Sequence, residues 1–204
     1  MIHGIINVYK EKGFTSHDVV AKLRGIVGQK KIGHTGTLDP DATGVLPVCL
    51  GKATKLCDLL TDKNKTYEAV LLLGKTTDTQ DITGEVLEEK STEALTEEKV
   101  REAIEGFIGD YEQIPPMYSA LKVNGKKLYE LAREGKVIER KARLVKILDI
   151  QILEIDLPKV RMEVSCSKGT YIRTLCHDIG EKLGCGGCME SLIRTRAVSY
   201  THLR

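Results

Sequence analysis

Apolar residues recur along this chain in two periods, and the changes of period mark where its elements begin and end. Val19, Val20, Leu23, Ile26 and Val27 share one face of a 3.6-residue repeat. Thr15 with Asp18 supplies a capping box, so residues 15–28 are predicted to form a helix. Residues 96–109 return to that spacing through Val100, Ala103, Ile104, Phe107 and Ile108, with Glu97 and Glu98 at the positive N-terminal end. Pro115 and Pro116 close the unit. Tyr67 to Leu73 is apolar and β-prone, and the polar stretch Thr76 to Gly84 after it reads as a surface connection. Val160, Met162, Val164 and Cys166 alternate with Arg161, Glu163 and Ser165, the period of a strand with one buried face. Gly169 and Thr170 then turn the chain into a helix whose buried stripe is Ile172, Leu175, Cys176, Ile179 and Leu183. Arg173 falls in its first turn, off that stripe.

Strands and helices mixed without a regular βαβ alternation predict an α+β fold, and there is no internal repeat. Residues 29–55 hold Gly33, Gly36, Pro40, Gly44, Pro47 and Gly51, too many breakers for a long element. Most of that stretch is expected to be an ordered loop, and a loop of that length is usually functional.

Composition changes the picture only in part. With 204 residues and 41% hydrophobic content, the chain can bury a sizeable core. Its net charge of +2 rules out a strong overall field, so any nucleic-acid surface has to be local. Such a surface is suggested by Lys122, Lys126, Lys127, Lys136, Arg140, Lys141, Arg143 and Lys146, interleaved with Tyr118 and Tyr129 and diluted by Glu130, Glu134 and Glu139. The six cysteines sit mostly among apolar neighbours, which with no signal peptide points to a reducing cytosol. No apolar run reaches the ~20 residues of a membrane span. A soluble, cytoplasmic protein is expected. Cys185 and Cys188 form one C-x-x-C with no second pair, half a zinc site at most, so no metal is expected.

The stretch GHTGTLDPDATGVLP at residues 33–47 carries the candidate chemistry. Asp39 and Asp41 flank a proline among glycines that free the backbone. A carboxylate held in this way can serve as nucleophile, base or metal ligand, or Asp39 can simply bond its own backbone in a turn. Residues 28–35 nearly match a phosphate-binding G-x-x-x-x-G-K-[ST] loop, but His34 stands where lysine must reach the phosphates.

GHTGTLDPDATGVLPVCLGKATK, from residue 33, resembles the aspartate-bearing motif of the TruB family of pseudouridine synthases. EKGFTS at 11–16, KTYEAVLLLGKTTDTQDITG at 65–84, IPPMYSALKVNGKKLYELAREG at 114–135 and SCSKGTYIRTLCHDIGEKLG at 165–184 agree in order, and the likeness runs to about Arg196. It implies a pseudouridine synthase fold, a central mixed and mostly antiparallel sheet flanked by helices and loops. It further implies a cofactor-free isomerase acting on a T-loop uridine of transfer RNA, position 55 in the family. The family's catalytic aspartate falls on Asp39, its pairing arginine on Arg173 and its base-stacking tyrosine on Tyr67. The histidine that contacts the displaced T loop falls on His34, a second pocket tyrosine on Tyr171 and an apolar pocket residue on Leu192. Cys188 stands where the family commonly has histidine.

That reaction breaks the bond from ribose C1′ to uracil N1 and rejoins the turned base through C5, with no net gain or loss of atoms. It needs a carboxylate to stabilise an electron-poor sugar or to add to sugar or base. Attack at C1′, addition at C6 and removal of the 2′ proton all remain open. A carboxylate in a pocket that excludes water keeps its charge best beside a cation, the role expected of Arg173. The uridine has to be flipped out, with Tyr67 as the stacking face; its hydroxyl could also remove the C5 proton. Partners are then the T-arm stem-loop of tRNA, with no membrane, guide RNA or obligate protein. A weakly catalytic RNA-binding module, a guide-dependent dyskerin-like enzyme and a nucleoside hydrolase or phosphotransferase are the competing readings. Residues 1–198 are expected to form the catalytic domain. Residues 199–204 are set aside as an unassigned tail where relatives continue into a PUA-like domain.

Overall fold

The computed structural model describes residues 1–201. In chain order its elements are β1 (Gly4–Lys10), α1 (Ser16–Val27), β2 (Ile32–His34), β3 (Thr43–Leu50), a 3-10 segment (Gly51–Leu56), α2 (Cys57–Thr61), β4 (Lys65–Leu73), β5 (Lys75–Thr77), β6 (Val86–Glu89), α3 (Glu97–Glu105), β7 (Gly109–Gln113), β8 (Lys122–Val123), β9 (Lys126–Lys127), α4 (Leu128–Arg133), β10 (Arg143–Asp156), β11 (Lys159–Cys166), α5 (Ile172–Lys182), β12 (Gly187–Ala197) and β13 (Tyr200–Thr201). The large sheet runs β1-β3-β12-β4-β11-β10-β7, with β2 beside β3 and β13 beside β12. Its pairings are antiparallel except for β12 with β3, which is parallel. This is the mixed, mostly antiparallel α+β sheet expected.

Period two is clearest in the middle of the sheet. On β4 Lys65, Tyr67, Ala69, Leu71 and Leu73 are buried, and on β11 Val160, Met162, Val164 and Cys166 are buried. These rows meet Ile172, Leu175, Cys176 and Ile179 of α5 in the main core, with α3 contributing Val100 and Ile104. A second cluster joins Val19 and Val20 of α1 to Ile32, Leu46, Val48 and Leu50. Helix α1 begins where the pattern placed it: the Thr15 side chain accepts from the Asp18 backbone and Asp18 returns a bond to the Thr15 backbone.

The 29–55 stretch differs from expectation, because Ile32–His34 and Thr43–Leu50 within it are strand. Residues 43–50 are nearly all buried and lie between β1 and β12, so tertiary burial overrides the breakers. Pro47 is tolerated in β3 because its carbonyl is what is used, accepting both the backbone N–H and the hydroxyl of Thr35. Residues 76–84 are likewise more than a surface connection. Thr76 and Thr77 are buried, Met189 donates to the Gln80 carbonyl, and Gln80 sits at φ 63. Of the residues set aside at 199–204, Tyr200 and Thr201 pair with β12, whereas 202–204 lie outside the described residues.

Candidate active site

The Asp39 loop spans residues 35–42, between β2 and β3. Its tip is a turn in which Ala42 donates its N–H to the Asp39 carbonyl at 3.1 Å. The chain does turn here, but through this backbone bond and not through the Asp39 side chain. The loop is pinned from below. Pro40 O accepts from Gly13 N and from the buried Lys10 ammonium at 3.0 Å, and the Ser16 hydroxyl accepts from Leu38 N at 2.9 Å. Asp41 faces outward, 3.8 Å from Lys12, with both side chains mostly exposed. Residues 28–35 run from a helix end into a strand, the reverse of a strand feeding a phosphate-binding helix.

Arg173, the second residue of α5, meets Asp39: its Nε lies 3.1 Å from Asp39 Oδ2. The arginine side chain is only 7% exposed, so this is not the weak surface pair that a helix-start arginine often makes. Its other nitrogens are also used. Nη1 donates to Thr79 O at 3.0 Å and lies 3.5 Å from Asp81 Oδ2, and Nη2 donates to Tyr118 O at 2.9 Å. One planar fork thus holds the Asp39 loop, the segment after β5 and the segment after β7 together. Asp81 is fixed in turn by Thr79 and Thr83. The Asp39 side chain is 44% exposed, so the water-excluding pocket expected from the sequence is not closed in the free protein.

Tyr67 is buried on β4, and burial pushes its phenol above the usual range, against the lowering influence of the Arg194 charge. Leu38, the residue before Asp39, packs in the same core cluster as Tyr67. A phenol held this way is protonated near neutral pH, which suits stacking better than proton abstraction. Tyr171 immediately precedes α5. Its backbone is clamped at both polar groups by Gln113, and its phenol is raised by burial and senses both Arg173 and Asp39. Leu192 pairs with Ala69 across β12 and β4 and packs against the core that contains Leu38 and Tyr67. The Asp39–Arg173 pair thus has Tyr171 next to it at the start of α5, with Tyr67 and Leu192 in the core cluster that Leu38 joins.

His34 is placed differently. It faces a cleft of about 450 Å³ lined with His17, Arg24, Lys30, Lys31, Thr54 and Cys57, and none of its lining residues is acidic. Its ring meets His17 edge-on at 5.1 Å, its Nδ1 is buried without a partner, and burial lowers its affinity for a proton. Cys185 and Cys188 are both buried core positions. The basic stretch is partly neutralised from within, since Glu134 takes Lys126 and Lys136 and Tyr129 takes Lys127 and Arg133. Sequence reasoning missed Asp81, Gln113, Lys10 and Arg194. Asp81 lay inside a motif that was read only as a connection, and burial of the other three is invisible without tertiary structure.

Comparison with known proteins meets the same geometry. Residues 24–172 match the description "TruB family pseudouridylate synthase (N terminal domain)", and residues 173–204 match "tRNA pseudouridylate synthase B C-terminal domain". A tRNA pseudouridine synthase B of Lachnoclostridium phytofermentans is 68% identical over 98% of this chain and 67% of its own length. One from Alkaliphilus oremlandii is 56% identical with the same coverage. Among solved structures, a chain in a Cbf5-Nop10-Gar1 complex is 36% identical with a TM-score of 0.77. One in an H/ACA RNP bound to a substrate RNA containing 2′-deoxyuridine is 32% identical with a TM-score of 0.73. Each covers 98% of this chain, which spans about half the length of those solved chains, 50% and 49% respectively. The chain belongs to the TruB family of pseudouridylate synthases.

Proposed function

We propose that this chain converts a uridine in the T loop of tRNA to pseudouridine, acting without a guide RNA. The observation that carries the reading is the Asp39–Arg173 pair, in which a half-exposed carboxylate is held by a buried guanidinium beside Tyr67 and Tyr171. A carboxylate aimed in this way can add to the sugar or base, or stabilise an electron-poor ribose, and neither role calls on an outside electron or energy donor. Because the pocket is open before substrate arrives, the flipped uridine and its loop supply the missing wall. Water is then displaced from the sugar at the moment when hydrolysis would compete.

The family resemblance, with this arrangement in support, suggests a role for each residue. Asp39 is the reacting carboxylate and Arg173 orients it. Tyr67 stacks on the extruded base, worth about 1–3 kcal/mol. Tyr171 and Leu192 bound the base from the α5 and β12 sides. His34 lines the basic cleft and meets the RNA that the flipped nucleotide has left, while Lys30 and Lys31 there take phosphates. The named activities of the curated relatives, tRNA pseudouridine synthases B, favour a stand-alone enzyme over the guide-dependent reading.

The test is an unmodified full-length tRNA transcript and its isolated T-arm stem-loop, each incubated with the purified chain alone and mapped with a pseudouridine-specific chemical probe. One new modification, in the T loop of both substrates, is the expected result. Modification elsewhere, dependence on an added guide RNA or release of free uracil would overturn it.

A further inference from the structure

Arg194 has no place in the roles above, yet it is among the most buried side chains of the molecule, at 1% exposure. Among the described residues, none of the ion pairs involves it. A guanidinium buried without a carboxylate is costly, and neutral donors could satisfy one or two carbonyls more cheaply. What a guanidinium alone offers is five donors fixed in one plane. Here they tie two separate segments beside a third. Nε donates to Val45 O at 2.7 Å and Nη2 donates to Gly36 O at 3.3 Å, while the charge lies near enough to the Tyr67 phenol, opposite it in the sheet, to favour the ionised form.

Gly36 and Val45 bracket the loop that carries Asp39, so the guanidinium closes the neck of that loop. The backbone of Arg194 is fixed as firmly. It stands opposite Tyr67 in the β12–β4 ladder and beside Gly44 in the short parallel β12–β3 pairing. A Cβ on Gly44 would be 2.2 Å from the Arg194 carbonyl oxygen, which shows how closely the two strands approach. Gly44 itself sits at φ 110, in the region that favours glycine.

We infer that Arg194 is a positioning residue for the proposed isomerisation, binding the Asp39 loop and Tyr67 into one unit so that carboxylate and stacking ring keep a common geometry. This rests on the function proposed above. A displacement of about 1 Å at a reacting group costs on the order of 10²-fold in rate, which sets the size of the expected effect.

The test compares wild type with Arg194→Lys and Arg194→Met under single-turnover conditions on the T-arm stem-loop, alongside RNA affinity and melting temperature. Lysine keeps the charge but cannot hold both sides of the loop's neck beside Tyr67 with one planar group. Both variants are expected to lose on the order of 10²-fold in rate while RNA affinity changes by less than about threefold. Adding Tyr67→Phe to either variant should cost less than its effect in wild type, because the unit is already broken. An Arg194→Lys rate near wild type, or fully additive losses, would overturn the inference. If both variants fail to fold, Tyr67→Phe alone gives the reading. Loss of the phenol should shift the backbone amide resonances of residues 36 and 45, and unchanged resonances there would overturn the inference. Failure of wild type to make pseudouridine would instead sink the function proposed above, so the two failures are distinguishable.

Discussion

One side chain, Arg173, does more than its sequence position announces. It contacts Asp39, Asp81, Thr79 and Tyr118 with a single guanidinium, so its neighbours compete for its orientation. Lysine in its place supplies charge at one point and cannot hold the fork. Arg173→Lys is expected to lower the single-turnover rate by about 10²–10³-fold, with stem-loop affinity changed by less than about tenfold. Asp81→Asn should fall between wild type and that variant, because it removes the second carboxylate on the arginine while leaving the carbonyl contacts. Quench-flow rates and filter-binding constants check both, and an Arg173→Lys rate close to wild type contradicts the assigned role. His34 sets a pH dependence of opposite interest. Burial first, then the nearby His17, holds its affinity for a proton below the ordinary value of 6.5. As pH falls through that value the unfolded chain takes up the proton before the folded one does, so folding stability contributed by neutral His34 is present above 6.5 and lost as pH falls through the lower folded value. Denaturant midpoints measured between about pH 7 and 5 should therefore fall less steeply in His34→Gln than in wild type. Equal slopes would contradict this.

The elements differ in how much of the site they hold. Helix α1 carries a complete capping box and reaches the Asp39 loop through the Ser16 hydroxyl, whereas β3 and β12 meet directly under that loop at Gly44 and Arg194. Thr15→Ala should lower the melting temperature by about 2–4 °C and leave the chemical step unchanged. Gly44→Ala should cripple turnover, because its Cβ would force β3 and β12 apart at the neck of the loop. Calorimetry and single-turnover rates on the same preparations separate the two cases. The contrast also explains what was legible beforehand. Val19 and Val20, the 160–166 alternation and the stripe of α5 follow one period each, and the structure keeps them. β3 was not legible, because Gly44 and Pro47 read as breakers until burial between neighbouring strands shows why glycine and proline fit there. The 76–84 stretch was read by its polarity, and polarity could not reveal that Asp81 points inward to an arginine 92 residues away.

For the molecule as a whole, the charge balance is nearly neutral, and its electrostatics are a matter of placement. The cluster of Asp39, Arg173, Tyr67 and Tyr171 was legible only through the family motif, since residues far apart in sequence gave no spacing signal of their own. The basic stretch at 122–146 was legible as composition. Its internal pairing with Glu134 and Tyr129 leaves it less free than its charges suggest, while the cleft beside His34 has cations and no lining carboxylate. Lys30→Gln with Lys31→Gln is expected to reduce the slope of log affinity against log salt by about 1–2, with the single-turnover rate at saturating enzyme unchanged. An unaltered salt slope would move the RNA backbone to another face. No helix among the described residues is long and apolar enough to cross a membrane.

Rejoining uracil through C5 expels the hydrogen that C5 carried, so isomerisation can be followed as tritium released from tRNA labelled at uridine C5. Under single-turnover conditions with saturating enzyme, wild type should release the equivalent of one tritium per T loop. Asp39→Asn should bind the RNA with comparable affinity and release none above background. Tritium release by Asp39→Asn at a rate near wild type would contradict the claim that the Asp39 carboxylate, aimed by Arg173, carries out the reaction.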